Sequence, residues 1–328
     1  MAQAFFGGIH PNDQKDLTNK KPIETLPPPA RVVIPMSLHI GAPCTPCVSV
    51  GDEVMVGQKV GDAPAFVSAP VHASISGRVS AVEPRIHFSG VPVMSVVIEN
   101  DFNETLYWGL SPASDPDSLT PEQLSALIRE AGIVGMGGAT FPTHVKISSG
   151  LGKVDTVIVN ASECEPCITS DHRVLLEHPD EVLGGVKLLA RIFGVDRVHI
   201  AIEQNKANAA GMLKLKIEEE KAPAVVDVLP TRYPQGAEKQ LCQSVTGRQV
   251  PPGALPAAIG CAVFNVVTTA AIYNAVYHGK PVTHRVVTVS GSGVNEPKNL
   301  LCPIGTPIGD LLDACGGVKK STFKILMG

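Results

Sequence analysis

Aromatic side chains make up only 4% of this chain and charged ones only 18%. The formal net charge is −4, so no broad basic surface for nucleic acid is available, and a nucleic-acid partner is excluded. The opening stretch Met1-Ala-Gln-Ala-Phe-Phe-Gly-Gly has neither a basic start nor an apolar run long enough for an export signal. Without export, the eight cysteines are expected as thiols in a reducing compartment rather than as disulfides. A membrane span is not expected either. Between Arg248 and Lys280 only His278 can titrate, and that stretch is long enough to cross a bilayer. Pro251, Pro252, Pro256, Asn265 and Asn274 argue against a crossing. A buried strand near Ile259–Phe264 and a buried helix near Thr268–Tyr277 are expected instead.

Apolar residues are abundant at 44%, with 31 glycines and 28 prolines. A length of 328 residues suits about two or three domains of ~150 residues each, rich in turns and short strands. Residues 1–30 are polar and proline-rich and read as an extended arm that wraps another part of the molecule. Residues 31–110 show short β-type runs, Arg31-Val-Val-Ile34 and Val93-Met-Ser-Val-Val-Ile98, separated by Gly51-Asp52 and Gly57-Gln58 turns. Their Gly-Asp turns, Ala69-Pro70 and Gly77-Arg-Val79 resemble the barrel-sandwich fold of biotinyl and lipoyl domains. Those domains carry a modified lysine at a hairpin tip. The matching tip, Ala65-Phe-Val-Ser68, has none, so a structural use of the fold is expected.

Residues 111–120 read as a linker. Thr120-Pro121-Glu122 then opens a helix over Pro121–Ala131, with Thr as cap and Pro in the first turn. From residue 120 to about 280 strands at Val154–Asn160, Arg197–Ile202 and Ala224–Leu229 alternate with helices at Pro179–Phe193, Lys206–Lys221 and Ala237–Val245. That alternation predicts an α/β domain. A last β-rich unit, residues 281–328, starts with Arg285-Val-Val-Thr-Val.

The segment Gly132-Ile-Val-Gly135-Met136-Gly137-Gly138-Ala-Thr-Phe141-Pro142-Thr-His-Val-Lys146 is the strongest chemical signal. Glycines let backbone N–H groups approach phosphate oxygens, and the lysine adds a point charge. A phosphate-bearing cofactor on this loop is the first expectation; a glycine-rich surface turn is the plain alternative. The loop lacks the Gly-Lys-Ser/Thr ending of a P-loop, and it precedes the strongest strand, whereas a Rossmann loop follows its first. Three further segments are expected to converge on it at strand ends. They are Asn160-Ala-Ser162-Glu163-Cys164-Glu165-Pro166-Cys167, Arg232-Tyr233-Pro-Gln-Gly236-Ala-Glu238, and Phe264-Asn265-Val-Val-Thr268. Two CxxC pairs, Cys44/Cys47 and Cys164/Cys167, are either a metal site or small buried residues.

Taken together these segments resemble the flavin- and NADH-binding core of the respiratory complex I flavoprotein. Over the whole chain the resemblance is closer to the RnfC family of Rnf electron-transport complexes. It rests on Phe6-Gly-Gly-Ile-His10-Pro11, His39-Ile-Gly-Ala-Pro43, Gly51-Asp-x-Val-x-x-Gly57-Gln58, Gly138-Ala-Thr-Phe-Pro-Thr-His-Val-Lys146, Asn160-Ala-x-Glu-Cys-Glu-Pro166 and Tyr233-Pro-x-Gly236-x-x-Lys-Gln-Leu241. The tail from Arg285 is similar to the β-grasp (SLBB) module of both families.

The resemblance implies a central α/β flavin domain flanked by an N-terminal barrel-sandwich hybrid and a C-terminal β-grasp unit. It implies FMN with its phosphate on Gly135, Gly137, Gly138 and Lys146, and Asn160 and Ser162 at the flavin or its ribityl chain. Asn265 and Thr268 would hold the far end. Phe141 would stack on NADH, and Gly236 and Glu238 would complete the pocket. Glu163 and Glu165 would orient or tune, unless they are ordinary surface carboxylates. No side chain need act as a nucleophile. The implied role is electron input from NADH, as a peripheral component on the cytoplasmic face of the cell membrane, bound to other subunits of a membrane complex. A soluble carrier with another acceptor and a scaffold with a degenerate flavin site are the alternatives.

Departures from the complex I pattern bear mainly on NADH. Met136 stands where that pattern has Arg, Ala237 replaces the first Glu of Gly-Glu-Glu, and Val267 replaces the Glu of Asn-Val-Glu-Thr. Cys167 replaces a Tyr usual in the Rnf family. The CxxCxxCxxxCP runs that hold two 4Fe–4S clusters in that family do not occur in this sequence, so no metal ligands are expected within it.

Overall fold

The computed structural model describes residues 5–87, 89–107, 109 and 112–327. The first four residues of the arm and Ser111 of the expected linker lie outside them.

Three sheet-containing units follow one another. The arm contributes one short strand, β1 (Ile23–Thr25). Next come β2 (Arg31–Pro35), β3 (Thr45–Pro46), β4 (Glu53–Val54), β5 (Lys59–Asp62), β6 (Val71–His72), β7 (Gly77–Ile86) and β8 (Pro92–Asn100). They form two antiparallel sheets, ordered β2-β8-β7-β4 and β3-β5-β6, closed over a core that includes Val32, Ile34, Val60, Val96 and Ile98. This is the expected barrel-sandwich.

The central unit opens with α1 (Pro121–Glu130), which carries the anticipated cap and Pro. Thr120 accepts from the Gln123 N–H, and Gln123 accepts in return from the Thr120 N–H. Then come α2 (Thr143–Gly150), β9 (Thr156–Ala161), α3 (Ser170–Glu177), α4 (Pro179–Phe193), β10 (Val198–Glu203), α5 (Ala207–Glu220), β11 (Ala224–Leu229), α6 (Glu238–Thr246), β12 (Cys261–Asn265) and α7 (Val266–His278). The sheet is wholly parallel, ordered β11-β10-β9-β12. Its strands are near-continuous apolar runs because both faces are covered. Val157, Val159 and Ala161 of β9 face the cluster built with α1, α4 and α7, whereas Ile158 faces Leu241 and Cys242 of α6. The uncharged stretch after Arg248 is thus a central-sheet strand and a packed helix. Among the described residues no helix is long and apolar enough to cross a membrane.

The last unit has β13 (His284–Val289) antiparallel to β14 (Lys298–Pro303), followed by α8 (Ile308–Ala314). β1 joins this sheet in parallel register, Glu24 opposite Leu300. The arm is therefore built in. Thr18 and Thr169 share a hydroxyl hydrogen bond at 2.7 Å, and Ile9 and Tyr233 exchange backbone hydrogen bonds at 2.8 Å.

Three helices depart from the sequence expectation. α2 takes over the end of the glycine segment, so Lys146 projects from a helix and not from a loop. Its Ser-Ser-Gly ending weakens the helical pattern that would have revealed it. α3 and α8 are single short runs inside stretches read as loop and as β; each is too short for periodicity to separate from its surroundings.

α4 and α7 pack through Gly184 and Gly185. A Cβ on Gly185 would lie 1.9 Å from the Thr269 carbonyl oxygen of α7, and that backbone atom cannot move aside. Gly185→Ala is expected to destabilise the protein by about 1–3 kcal/mol or more. Urea unfolding monitored by circular dichroism measures this; an unchanged midpoint would mean the two helices are not held this closely.

Candidate functional site

The glycine segment is a closed turn pinned from three sides. Val134 and Pro142 pair across its neck, and the Gly135 N–H donates to the Phe141 carbonyl at 2.9 Å. The Met136 N–H donates to Thr268 Oγ1 at 2.9 Å, and that hydroxyl donates to the Val134 carbonyl at 3.2 Å. Thr268 lies in the first turn of α7, so the helix start holds the loop. The sequence expectation gives the Gly135 N–H to a ligand; the structure spends it inside the turn. Gly137 and Gly138 differ. Their N–H groups have no protein partner among the described residues, and nothing lies within 4 Å of a Cβ built on Gly138. Gly137 is glycine for another reason: the Asn265 side-chain amide occupies its Cβ position, at 2.2 Å. Phe141 is half-buried beside them.

Lys146 reaches from α2 to the middle of β12, the edge strand of the sheet. Its Nζ donates to the Val263 carbonyl at 2.7 Å and to Glu238 Oε1 at 2.8 Å. Two of its three protons are thereby used, leaving one for a ligand. Val263 and Asn265 are two residues apart on β12, so the Lys146 contact and the Gly137 contact lie roughly 7 Å apart along one strand. Glu238 opens α6, the same segment as Gly236. A Cβ on Gly236 would meet the Ser162 carbonyl at 2.1 Å, so that glycine permits close approach of the two loops.

At the end of β9, Asn160 Nδ2 donates to the Gly236 carbonyl at 2.8 Å, and its Oδ1 accepts from the Ser162 N–H at 3.0 Å. The Ser162 hydroxyl turns into the sheet and donates to the Ala201 carbonyl at 3.2 Å. These two residues shape the turn through their contacts with the protein. Glu163 and Glu165, expected together, are parted: Glu163 is 5% exposed, whereas Glu165 faces solvent. Glu163 Oε1 accepts from the Asp171 N–H at 2.8 Å and from Ser170 Oγ at 3.1 Å. Asn265 caps α7 with its Oδ1, and its Nδ2 donates to Asp171 Oδ2 at 2.6 Å. Burial, and then the Glu163 carboxylate, push the Asp171 carboxyl up to about 7.

Sequence reasoning missed or undervalued three contributors. Arg285 of β13 donates from Nη2 to the Met136 carbonyl at 2.7 Å. It brings a guanidinium to the loop position where the complex I pattern would have placed an arginine. Lys15 of the arm is 5% exposed and donates to the Glu165 carbonyl at 2.8 Å, with Glu163 Oε2 4.0 Å away. Asp171 follows the acidic segment closely enough in the sequence to be grouped with it, but nothing there marks it as buried. For Arg285 and Lys15 no local signal exists, because both arrive from other units of the chain.

The barrel-sandwich tip that lacks a lysine has a structural place. A ring nitrogen of His144 in α2 donates to the Phe66 carbonyl at 3.0 Å, and the Ile40 N–H donates to the Thr140 carbonyl at 3.0 Å. Of the thiols, Cys164 accepts from the Gly236 N–H at 3.4 Å, and burial pushes its ionisation up to about 11. That makes it a poor nucleophile. Cys44 is buried in the barrel-sandwich, so the two CxxC pairs belong to different units. A cavity of about 260 Å³ lies beyond Cys164 at the ends of β10 and β11, walled by the arm residues His10, Asp13 and Lys15 and by Glu203 and Arg232.

Comparison with known proteins agrees with this layout. Residues 3–103 match the RnfC barrel sandwich hybrid domain, residues 128–274 the Nuo51 FMN-binding domain, and residues 286–322 the SLBB domain. The C component of the proton-translocating ferredoxin:NAD(+) oxidoreductase complex of Clostridium ljungdahlii is 45% identical over 100% of this chain and 72% of its own length. Its Na(+)-translocating counterpart in Acetobacterium woodii is 44% identical over 99% and 73%. The C component of the ion-translocating oxidoreductase complex of Rhodobacter capsulatus is 41% identical over 98% of this chain and 62% of its own. Among solved structures, an NAD+-reducing [NiFe]-hydrogenase in the H2-reduced state shares the fold at 23% identity, with a TM-score of 0.54 over 62% of this chain and 41% of that one. With full-length similarity of this order and all three domain types in sequence, the chain belongs to the RnfC family of Rnf-type ion-translocating oxidoreductase complexes.

Proposed function

We propose that this chain binds FMN on the Gly137–Gly138 turn and serves as the electron-input element of an Rnf-type complex, taking reducing equivalents from NADH. One observation carries the reading. Two backbone N–H groups without protein partners among the described residues lie on the exposed part of the turn, and a lysine with a proton to spare is bonded to the same strand, two residues before the Asn265 that meets the turn. That set suits a phosphate dianion: donors from the backbone, one cation, and room for the ligand. The match of residues 128–274 to an FMN-binding domain and the ferredoxin:NAD(+) names of the relatives support the choice of flavin and nicotinamide.

A bound flavin supplies two-electron acceptance from a nicotinamide and one-electron release to iron–sulfur centres. The protein supplies position and field. Gly137 and Gly138 would donate to the phosphate, and Lys146 would neutralise part of it, its charge shared with Glu238. Asn160 and Gly236 tie the two neighbouring turns together. Thr268 and Asn265 lock the loop so that no donor must reorganise when the ligand arrives. Phe141 would give an aromatic edge for the incoming dinucleotide. Glu163, buried against Asp171, would act on the ligand through its field, and the solvent-facing Glu165 would meet the nucleotide from the rim. Partner subunits would receive the electrons, with the chain peripheral on the cytoplasmic face of the membrane.

Two measurements test this. An anaerobic visible spectrum of protein reconstituted with FMN should show flavin bands that bleach on adding NADH. Bound flavin that stays oxidised would refute NADH as donor, and no binding would refute the flavin site. Lys146→Ala removes a charge-assisted hydrogen bond of about 1.5–3 kcal/mol and should weaken FMN binding ~10–100-fold by fluorescence titration. Unchanged affinity would move the phosphate elsewhere.

A further inference from the structure

A line of hydrogen bonds runs from the protein interior to Asn265, whose side chain touches the glycine turn. Glu163 Oε1 accepts from the Asp171 N–H at 2.8 Å, and Asp171 Oδ2 accepts from Asn265 Nδ2 at 2.6 Å. The Asn265 amide cannot flip, because its Oδ1 accepts from the N–H groups of Val267 and Thr268 at 2.8 and 3.2 Å. The same Nδ2 fills the Cβ position of Gly137. Asp171 therefore sits one side chain behind the turn that is read as the phosphate and flavin cradle.

Asp171 and Glu163 are two carboxyl groups in one water-poor place, 8% and 5% exposed. Glu163 Oε2 has no hydrogen-bond partner among the described residues and only the Lys15 ammonium at 4.0 Å. Two buried carboxylates so placed are costly to ionise together. The charges facing Asp171 from the packed elements are Glu163, which opposes its ionisation, and Arg285 from β13 and Lys206 at the start of α5, which favour it. Lys206 is itself occupied by Glu203 Oε2 at 3.0 Å, and Arg285 by the Met136 carbonyl at 2.7 Å. Neither cation is a dedicated partner, so the acid is left without full compensation.

We propose that Asp171 is a proton-holding positioning residue of the site, which takes up one proton from water when a hydride reaches the flavin and returns it when the electrons leave. The inference rests on the flavin reading above. In the step, the C–H bond of NADH breaks, its electron pair and hydrogen go to the flavin, and NAD+ departs. The extra negative charge left on the flavin ring raises the cost of a second charge behind the cradle, and a proton from water on the Asp171 carboxylate offsets it. When two electrons pass on singly, that proton and the hydride's hydrogen, as a second proton, return to water. An ordinary exposed aspartate ionises near 3.8 and would stay charged throughout. At about 7 Asp171 is poised where a modest added negative charge changes its protonation.

The test begins without flavin. With its ionisation raised in the folded state, Asp171 binds its proton more tightly folded than unfolded. Its contribution to stability is therefore full below about 4 and lost as pH rises to about 7. Burial lowers the ionisation of His72, His144 and His172, so their contribution rises with pH over the same range. Urea titrations of apo-protein should therefore show the decline in the stability difference between wild type and Asp171→Asn, which keeps the shape and the neighbouring amide. FMN-loaded protein is then reduced with dithionite in weak buffer with a pH indicator. Beyond the proton that the flavin itself takes from water with two electrons, the wild type should take up a further proton near neutral pH that Asp171→Asn loses, with a matching loss in the pH slope of the flavin potential. Glu163→Gln, which removes the opposing charge, should shift the uptake step to lower pH and serves if Asp171→Asn does not fold. Equal proton uptake in wild type and a folded, flavin-binding variant overturns the proposal, as does a stability difference between wild type and Asp171→Asn that stays constant across this range. Absence of FMN binding to the wild type would instead overturn the flavin reading, while the apo titration still decides whether Asp171 holds a proton.

Discussion

The candidate site depends on the junction between β12 and α7. Asn265 ends the strand, caps the helix, touches Gly137 and meets Asp171; Thr268, one turn on, holds the loop by two hydrogen bonds. Helix starts carry unpaired N–H groups and a positive field. Here the capping side chain uses two of those groups and leaves its amide to fix a second loop. The turn is thereby rigid before any ligand is present, which is what an electrostatic cradle requires.

Around that junction three units of the chain meet. The barrel-sandwich clamps Thr140 through Ile40 and His144 through Phe66 of its tip, the arm places Lys15 beneath the acidic turn, and β13 sends Arg285 to the Met136 carbonyl. A flavin domain taken alone would lack two cations and one wall. This gives a physical reason for the arm's pairing with β14: it holds the buried Lys15 ammonium in place, and a buried charge without partners would be costly. The missing loop arginine at position 136 is offset by a guanidinium from a different unit. Position 136 needs only a side chain that tolerates burial, and Met136 is 6% exposed.

Much of this is legible in the sequence. The order of strands and helices in the central unit follows from apolar runs and from the Thr120–Pro121 start. The glycine turn, Lys146, Asn160, Gly236 and Asn265 stand out because each motif lies beside or at the end of a predicted strand. What stays hidden is the use to which each group is put. Gly135 spends its N–H on Phe141, Ser162 turns into the sheet, and Glu163 and Glu165 face opposite ways although two residues apart. Motif spacing places a residue near a ligand crevice, but the direction of its side chain is set by packing partners distant in the chain.

The α/β class, the flanking β units and the identity of the loops at the strand ends are written in the amino-acid order, because periodicity, caps and glycine turns are local properties of neighbouring residues. Only the tertiary structure decided which donors remain available, which acid is buried, and which cations serve the site. Those outcomes depend on contacts such as Lys15 with the Glu165 carbonyl and Arg285 with the Met136 carbonyl, each joining residues some 150 positions apart. Burial, and with it the raised ionisation of Asp171, exists only once such distant segments have closed over the group.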